Sequence, residues 1–232
     1  MNGPTTTQLL SKAVGASNEL AVASGGGSSA IKIFLILTAL SFGTALVLSV
    51  TSFTRVVIVL SFLRQALGTP QLPPNQVLIG LSLFLTLFIM APTVRRVHEQ
   101  AFSPLMDDKI SMSEALQRAQ GPLSDWMLKQ TREEDLRLFF EVSASARPAR
   151  GEAVPFTVLV PAFMVSELGT AFRMGLFLFV PMLLIDLLVA VILMSLGMMM
   201  VPPTMVALPL KLGVFLLAGG WHLVVSSLIR SF

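Results

Sequence analysis

The sequence predicts an all-α fold in which long apolar helical hairpins flank a small, helical, soluble insert. Three observations predict it. The 232 residues are 54% hydrophobic and 12% charged, about half the charged share of a soluble domain. The charges are also segregated: nine basic and ten acidic residues fall between Val94 and Glu152, with apolar sequence on both sides. Finally, the apolar runs have helix length and no strand-like alternation. From Leu176 to Met200 the only charge is Asp186, and about 20 such residues span a hydrocarbon core of about 30 Å.

Residues 1–30 are rich in Thr, Ser, Gly and Ala and read as a disordered lead-in. Their longest apolar run, Leu20 to Ala23, is shorter than the core of a signal peptide. The first apolar hairpin covers residues 31–92. Its opening stretch, Ile31 to Leu67, carries Lys32, Arg55 and Arg64; as one helix it would be about 55 Å long, so it must break, tilt or leave a bilayer. The proline-rich turn Gly68 to Asn75 follows. Asn75 is expected to cap the next helix, which should run to about Met90, before Pro92.

The insert, residues 93–153, reads as short soluble helices. Ser111 with Glu114, and Thr131 with Glu134, fit the S/T-x-x-E capping box. Pro122 suits a first helical position. Leu123, Trp126 and Met127, and then Leu136, Phe139 and Phe140, recur at i, i+3, i+4, so each helix has one face to bury. The second apolar hairpin, residues 154–232, runs from Val154 through Pro161 to a Gly197-Met198-Met199-Met200-Val201-Pro202-Pro203 turn. It is expected to return as one long helix from Thr204 to Phe232 that holds Lys211.

The intramembrane-type charges are the informative anomaly. Each costs roughly 2.5–3.5 kcal/mol at mid-bilayer, so chains that keep them supply partners or a water-filled path; with the apolar runs, this points to a conduit. Glu167 and Arg173 lie about 240° apart on a helix and cannot pair with each other. They are either snorkelling charges near a helix end or contacts to another subunit or a neighbouring hairpin. Lys211 and Asp186 pose the same question. The three consecutive methionines cannot form a helical stripe; they are either apolar filler or flexible side chains that close a narrow aperture and yield to a larger passenger. Thr38, Ser41, Gly43, Thr44, Ala45, Ser49 and Ser52, and later Gly213, Ala218, Gly219 and Gly220, permit close helix approach.

Several functions are excluded. The net charge of +3 comes without the Lys/Arg clusters that bind phosphate backbones, so no nucleic-acid partner is expected. There is no cysteine, and the two histidines, His98 and His222, are far apart; no metal or other cofactor is expected. No catalytic motif is present, and the chain does not read as an enzyme.

Three strings carry a family resemblance: TSFTRVVIVLSFLRQALGTPQLPPNQVLIGLSLFLTLFIMAPT (Thr51 to Thr93), PAFMVSELGTAFRMGLFLFVPMLLIDLLVAVILMSLGMMMVPP (Pro161 to Pro203) and LPLKLGVFLLAGGWHLVVSSL (Leu208 to Leu228). They resemble the FliP/SctR family of type III secretion export-gate proteins, and in particular its flagellar branch. The resemblance implies a non-enzymatic subunit assembled into a helical oligomeric gate, a homo-pentamer with FliQ and FliR in the inner membrane at the flagellar basal body. FliO is implied as an assembly helper, FlhA and FlhB as neighbours, and unfolded flagellar export substrates as passengers. By the same resemblance Met198, Met199 and Met200 match a methionine gasket, and Glu167 and Lys211 match subunit contacts. Arg173 and Asp186 are extended to the interface, with Phe139 and Phe140 as core or contact residues of a periplasmic insert. Counting basic residues gives the opposite orientation, since Lys32, Arg95, Arg96 and Arg230 lie on the insert side. The family expectation is preferred, because that count presumes helices that stay in the bilayer. The alternatives are an injectisome gate subunit and a proton-coupled small-solute membrane transporter.

Overall fold

In a computed structural model the chain is described at residues 31, 33, 34, 37, 38, 41, 43, 47–143, 154–198 and 200–232. The expected lead-in, Lys32, Thr44, Ala45, Met199 and the end of the insert lie outside the described residues. Among those described, all regular structure is helical, as the fold class required.

Residues 1–47 and 48–232 form separate units. In the first, the described positions are helical, and Ser41 Oγ donates to the Leu37 carbonyl at 2.9 Å. In the second, the long opening stretch is interrupted at residues 50–52, and α1 (Phe53–Ala66) begins there. Val56, Val59, Leu60 and Leu63 recur at i, i+3, i+4, i+7 and form its buried stripe. α1 is closed by Gly68, whose φ of 76° lets the following Thr69 amide reach the Arg64 carbonyl at 3.3 Å, a left-handed closure that only glycine adopts without strain.

α2 (Asn75–Val97) departs from expectation at both ends. Asn75 is its first residue, not its cap; the Asn75 Oδ1 instead accepts from Arg64 Nη1 at 2.5 Å. The helix also runs through Pro92, because Met90 and Thr93 on either side are buried and packing there outweighs the lost amide. Buried hydroxyls are satisfied locally: Ser82 Oγ and Thr86 Oγ1 donate to the carbonyls four residues back, each at 2.7 Å. A π-turn at His98–Phe102 leads into the short α3 (Ser103–Met106).

α4 (Met112–Gln130) starts as the sequence requires, with Ser111 Oγ accepting from the Glu114 amide at 3.3 Å. Pro122 is not a helix start; it lies inside α4, where Ala115, Pro122, Trp126 and Met127 share one buried stripe. Nor is Thr131 the cap of α5 (Glu133–Val142), since Arg132 occupies that position. Thr131 Oγ1 instead closes α4 by donating to the Met127 carbonyl at 2.7 Å. The acidic first turn of α5, Glu133, Glu134 and Asp135, complements the helix dipole.

α6 (Phe156–Ser195) is a single 40-residue helix. Its mean hydropathy is 2.9 over its most apolar window, of which 11% is buried. Its buried residues cluster near its start, from Val158 to Gly175, and recur at Val189 and Leu193. The return is bent: α7 (Pro203–Leu217) and α8 (Gly220–Arg230) meet at 64°. The single long helix expected here breaks at Gly219, which has a φ of 62°. With α2 and its extension, α6 is one of two described helices long and apolar enough to cross a membrane.

Three apolar clusters hold the second unit. The largest joins α1, α2, α6, α7 and α8 around Leu60, Leu63, Ala171, Phe215 and Leu228. A second packs Trp126 and Met127 of α4 on Met90, Leu159 and Phe163, so the insert shares a core with both hairpins. The third, Val189, Leu193 and Ala207, closes the α6–α7 hairpin. The α1–α6 approach depends on Gly175, where a Cβ would fall 2.6 Å from the Phe62 ring. Gly175→Ala is therefore expected to destabilise by about 1–3 kcal/mol through overpacking. Gly121→Ala, at an open position in α4, should stabilise by up to about 1 kcal/mol. Thermal unfolding of the two variants in detergent checks both signs.

Candidate functional site: buried charges and a methionine turn

Two buried cations organise the hairpins. Arg55, on the buried stripe of α1, is 2% exposed, and Glu167 of α6 is 0% exposed. They form a two-pronged contact: Arg55 Nε donates to Glu167 Oε2 at 2.9 Å, and Nη2 donates to Glu167 Oε1. The other guanidinium hydrogens are also matched. Nη1 donates to the Ser231 carbonyl at 2.7 Å and to Ser231 Oγ at 3.1 Å, and Nη2 donates to Gln130 Oε1 at 3.3 Å. All five donors of the guanidinium thus have acceptors, drawn from α4, α6 and the residues after α8. The Phe232 ring lies 3.8 Å from the guanidinium carbon, within cation–π range.

Lys211 of α7 occupies the second position. Its Nζ donates to Asp186 Oδ2 of α6 at 2.5 Å and to the Ala66 carbonyl, at the end of α1, at 3.1 Å. Here the pair is open on one side, because the Asp186 side chain is 40% exposed. The open side faces a cleft of about 330 Å³ lined in part by Gln65, Gly68, Thr204 and Met205.

The SEL string on α6 also anchors α5. The Arg132 amide donates to Ser166 Oγ at 3.0 Å, and Ser166 Oγ donates to Asp135 Oδ2. Arg132 Nη2 donates to Thr170 Oγ1 at 2.8 Å, and its guanidinium crosses α6 at Gly169, where a Cβ would meet Nη1 at 3.0 Å. Ser166, Glu167, Gly169 and Thr170 therefore each have a contact that depends on their residue type.

The structure separates the sequence-predicted residues. For Glu167 it supplies the neighbouring hairpin as partner, through Arg55; Asp186 and Lys211 pair with each other. Arg173 is exposed and makes no hydrogen bond or ion pair among the described residues. Phe140 is buried and Phe139 half-buried. Met198 and Met200 stand at the hairpin tip, Met200 at 97% exposure, after Gly197 closes α6 with the Met198 amide donating to the Leu193 carbonyl at 3.0 Å. Sequence reasoning missed Arg55 as the partner of Glu167, along with Gln130, Arg132, Ser166 and the Ser231–Phe232 tail. Lone charges of opposite sign in two apolar stretches, Arg55 and Glu167, were the signal available. Among the described residues no group of three His, Cys, Asp or Glu side chains could hold a metal ion.

Removing one partner of a buried pair leaves the other charged and unpaired, at a cost of about 3–5 kcal/mol. Glu167→Ala and Arg55→Leu are each expected to lose that amount in denaturant unfolding. Asp186→Asn, which keeps an amide oxygen for the buried Lys211 Nζ to donate to, should lose less, about 1–3 kcal/mol.

A sequence model described as the FliP family matches residues 36–228. The flagellar biosynthetic protein FliP of Bacillus subtilis is 50% identical over 205 residues, covering 88% of this chain and 93% of that protein. The FliP of Pectobacterium carotovorum is 51% identical over 89% of this chain and 81% of its own length. That of Aquifex aeolicus is 47% identical over 92% and 90%. With a family match across most of its length and relatives near half identity over nearly their whole chains, this chain belongs to the FliP family.

Proposed function

We propose that this chain is a core subunit of the flagellar type III protein export gate, a membrane-associated ring of copies through which unfolded flagellar axial proteins pass. The relatives are named flagellar biosynthetic proteins, which supports the flagellar assignment over an injectisome. The observation that carries the conduit reading is the combination at the second hairpin. An all-round apolar helix leaves most of its surface uncovered by its own chain, and it ends in an exposed methionine tip. Such a helix needs lipid or sister copies around it, and a ring of copies brings the tips together. Flexible thioether chains then form a seal with Met198, Met199 and Met200 that a polypeptide displaces and small ions do not cross.

In this reading the gate is a homo-pentamer with FliQ and FliR at the inner membrane, with FliO, FlhA and FlhB nearby and the insert facing the periplasm. Arg173, exposed and unpartnered within the described chain, meets a neighbouring copy directly. Lys211 and Asp186 contribute through the open side of their pair. Glu167 contributes by fixing α1 against α6, the shape a neighbouring copy meets, and Phe139 and Phe140 act in the insert.

A proton-coupled transporter would need a solvent-reached titratable group along its path; Glu167 is closed to solvent, and Asp186, half-exposed, is held by Lys211. Replacing Met198 to Met200 by glycine is expected to make cells with an assembled gate leak small ions, read as loss of membrane potential. An unchanged potential contradicts the seal. Arg173→Glu is expected to leave the purified chain as helical and as heat-stable as wild type while abolishing the multi-copy particle in native mass measurements. Retention of the particle removes Arg173 from the interface.

A further inference from the structure

The two residues after α8 do more than end a helix. Ser231 offers Arg55 two acceptors on one nitrogen. Phe232 covers a face of the same guanidinium and stacks on Trp126, with ring centroids 6.3 Å apart and an interplanar angle of 16°. The Phe232 main-chain oxygen accepts from Gln130 Nε2 at 3.0 Å, and Gln130 Oε1 in turn accepts from Arg55. A closed circuit therefore runs from Arg55 through Ser231, Phe232 and Gln130 back to Arg55, with Glu167 on the remaining edge.

Without this tail, Nη1 of Arg55 would have no acceptor and one guanidinium face would be uncovered. An arginine in that state turns toward water or another acceptor, and the paired carboxylate is wetted with it. We propose that the Ser231–Phe232 tail is a positioning clasp: it fixes the Arg55 guanidinium so that Glu167 is neutralised within its own chain instead of by a cation of a neighbouring copy. Ser231 and Phe232 are positioning residues in this scheme, acting on Glu167 only through Arg55. The clasp also ties the bent α8 to the insert, since Trp126 and Gln130 belong to α4. The inference concerns contacts within one chain and stands whether or not the export-gate reading holds.

The test is chemical modification of carboxylates in the purified full chain by a water-soluble carbodiimide with an amine nucleophile, mapped by peptide mass spectrometry. Asp186, half-open at its own pair, serves as the internal reference. In wild type Glu167 is expected to stay unmodified while Asp186 reacts. Phe232→Ala should raise Glu167 modification by at least about tenfold relative to Asp186, through loss of the ring that covers the guanidinium. Phe232→Tyr, which keeps the ring, should restore the wild-type ratio, and Phe232→Leu should not. Arg55→Lys keeps the charge but cannot reach Ser231, Gln130 and Glu167 together, and should raise the ratio as Phe232→Ala does. If Phe232→Ala does not fold, Phe232→Leu, Phe232→Tyr and Arg55→Lys decide the matter. Unreactive Glu167 in both Phe232→Leu and Arg55→Lys overturns the clasp, as does equal reactivity in Phe232→Tyr and Phe232→Leu.

Discussion

The contact between Arg55 and Glu167 joins the two apolar hairpins, and the arrangement of the rest follows from keeping it dry and fully bonded. Removing two such ions from water costs several kcal/mol each, and mutual attraction offsets that only with good geometry and every remaining donor matched. Here the carboxylate takes two guanidinium hydrogens, and the other three reach acceptors on Gln130 and Ser231. Those acceptors come from the insert and from the residues after α8. The ion pair therefore specifies more than one helix crossing: it requires α1, α4, α6 and the α8 tail to converge. An apolar pair of equal volume would fill the same space without demanding that convergence.

The second cation extends this logic toward the hairpin tip. Lys211 caps the end of α1 through the Ala66 carbonyl and holds α7 to α6 through Asp186. Past Gly175, α6 has little cover from its own chain, and its side chains from Leu176 to Leu188 are largely exposed. Polar contacts thus fix the hairpin where the chain packs on itself, while the apolar middle is left uncovered by its own chain. The methionine tip lies beyond the second anchor, where Gly197 ends the helix and no cluster covers Met200. The seal proposed above rests on this contrast between a held base and an uncovered methionine tip.

Much of this was legible in the sequence, and the misses share one cause. Hydrophobic period and charge segregation predicted an all-helical chain with a polar insert, and Ser111 marked a true helix start, its hydroxyl accepting from the Glu114 amide. Local rules failed where tertiary burial overrode them. Pro92 and Pro122 read as boundaries, yet burial of Met90 and Thr93, and of Ala115, Trp126 and Met127, carries the helices through. Asn75 and Thr131 read as caps, but Arg64 and the Met127 carbonyl claim their side chains. Gly219 read as one small residue among several, yet its left-handed φ of 62° bends the chain there, and the Phe215 ring lies over Gly220 where a Cβ would clash. At the site, each charge was visible as an anomaly. Its partner was not, because Arg55 and Glu167 are 112 residues apart and no local spacing connects them.

Arg55 and Glu167 couple the two hairpins energetically as well as in space. A double-mutant cycle with Arg55→Leu, Glu167→Leu and the combined variant, measured by reversible unfolding in detergent, tests this coupling most directly. Coupling predicts that the combined variant is more stable than either single variant, with an interaction of at least about 2 kcal/mol. Additive losses would show that the two side chains do not meet, and the account would fail.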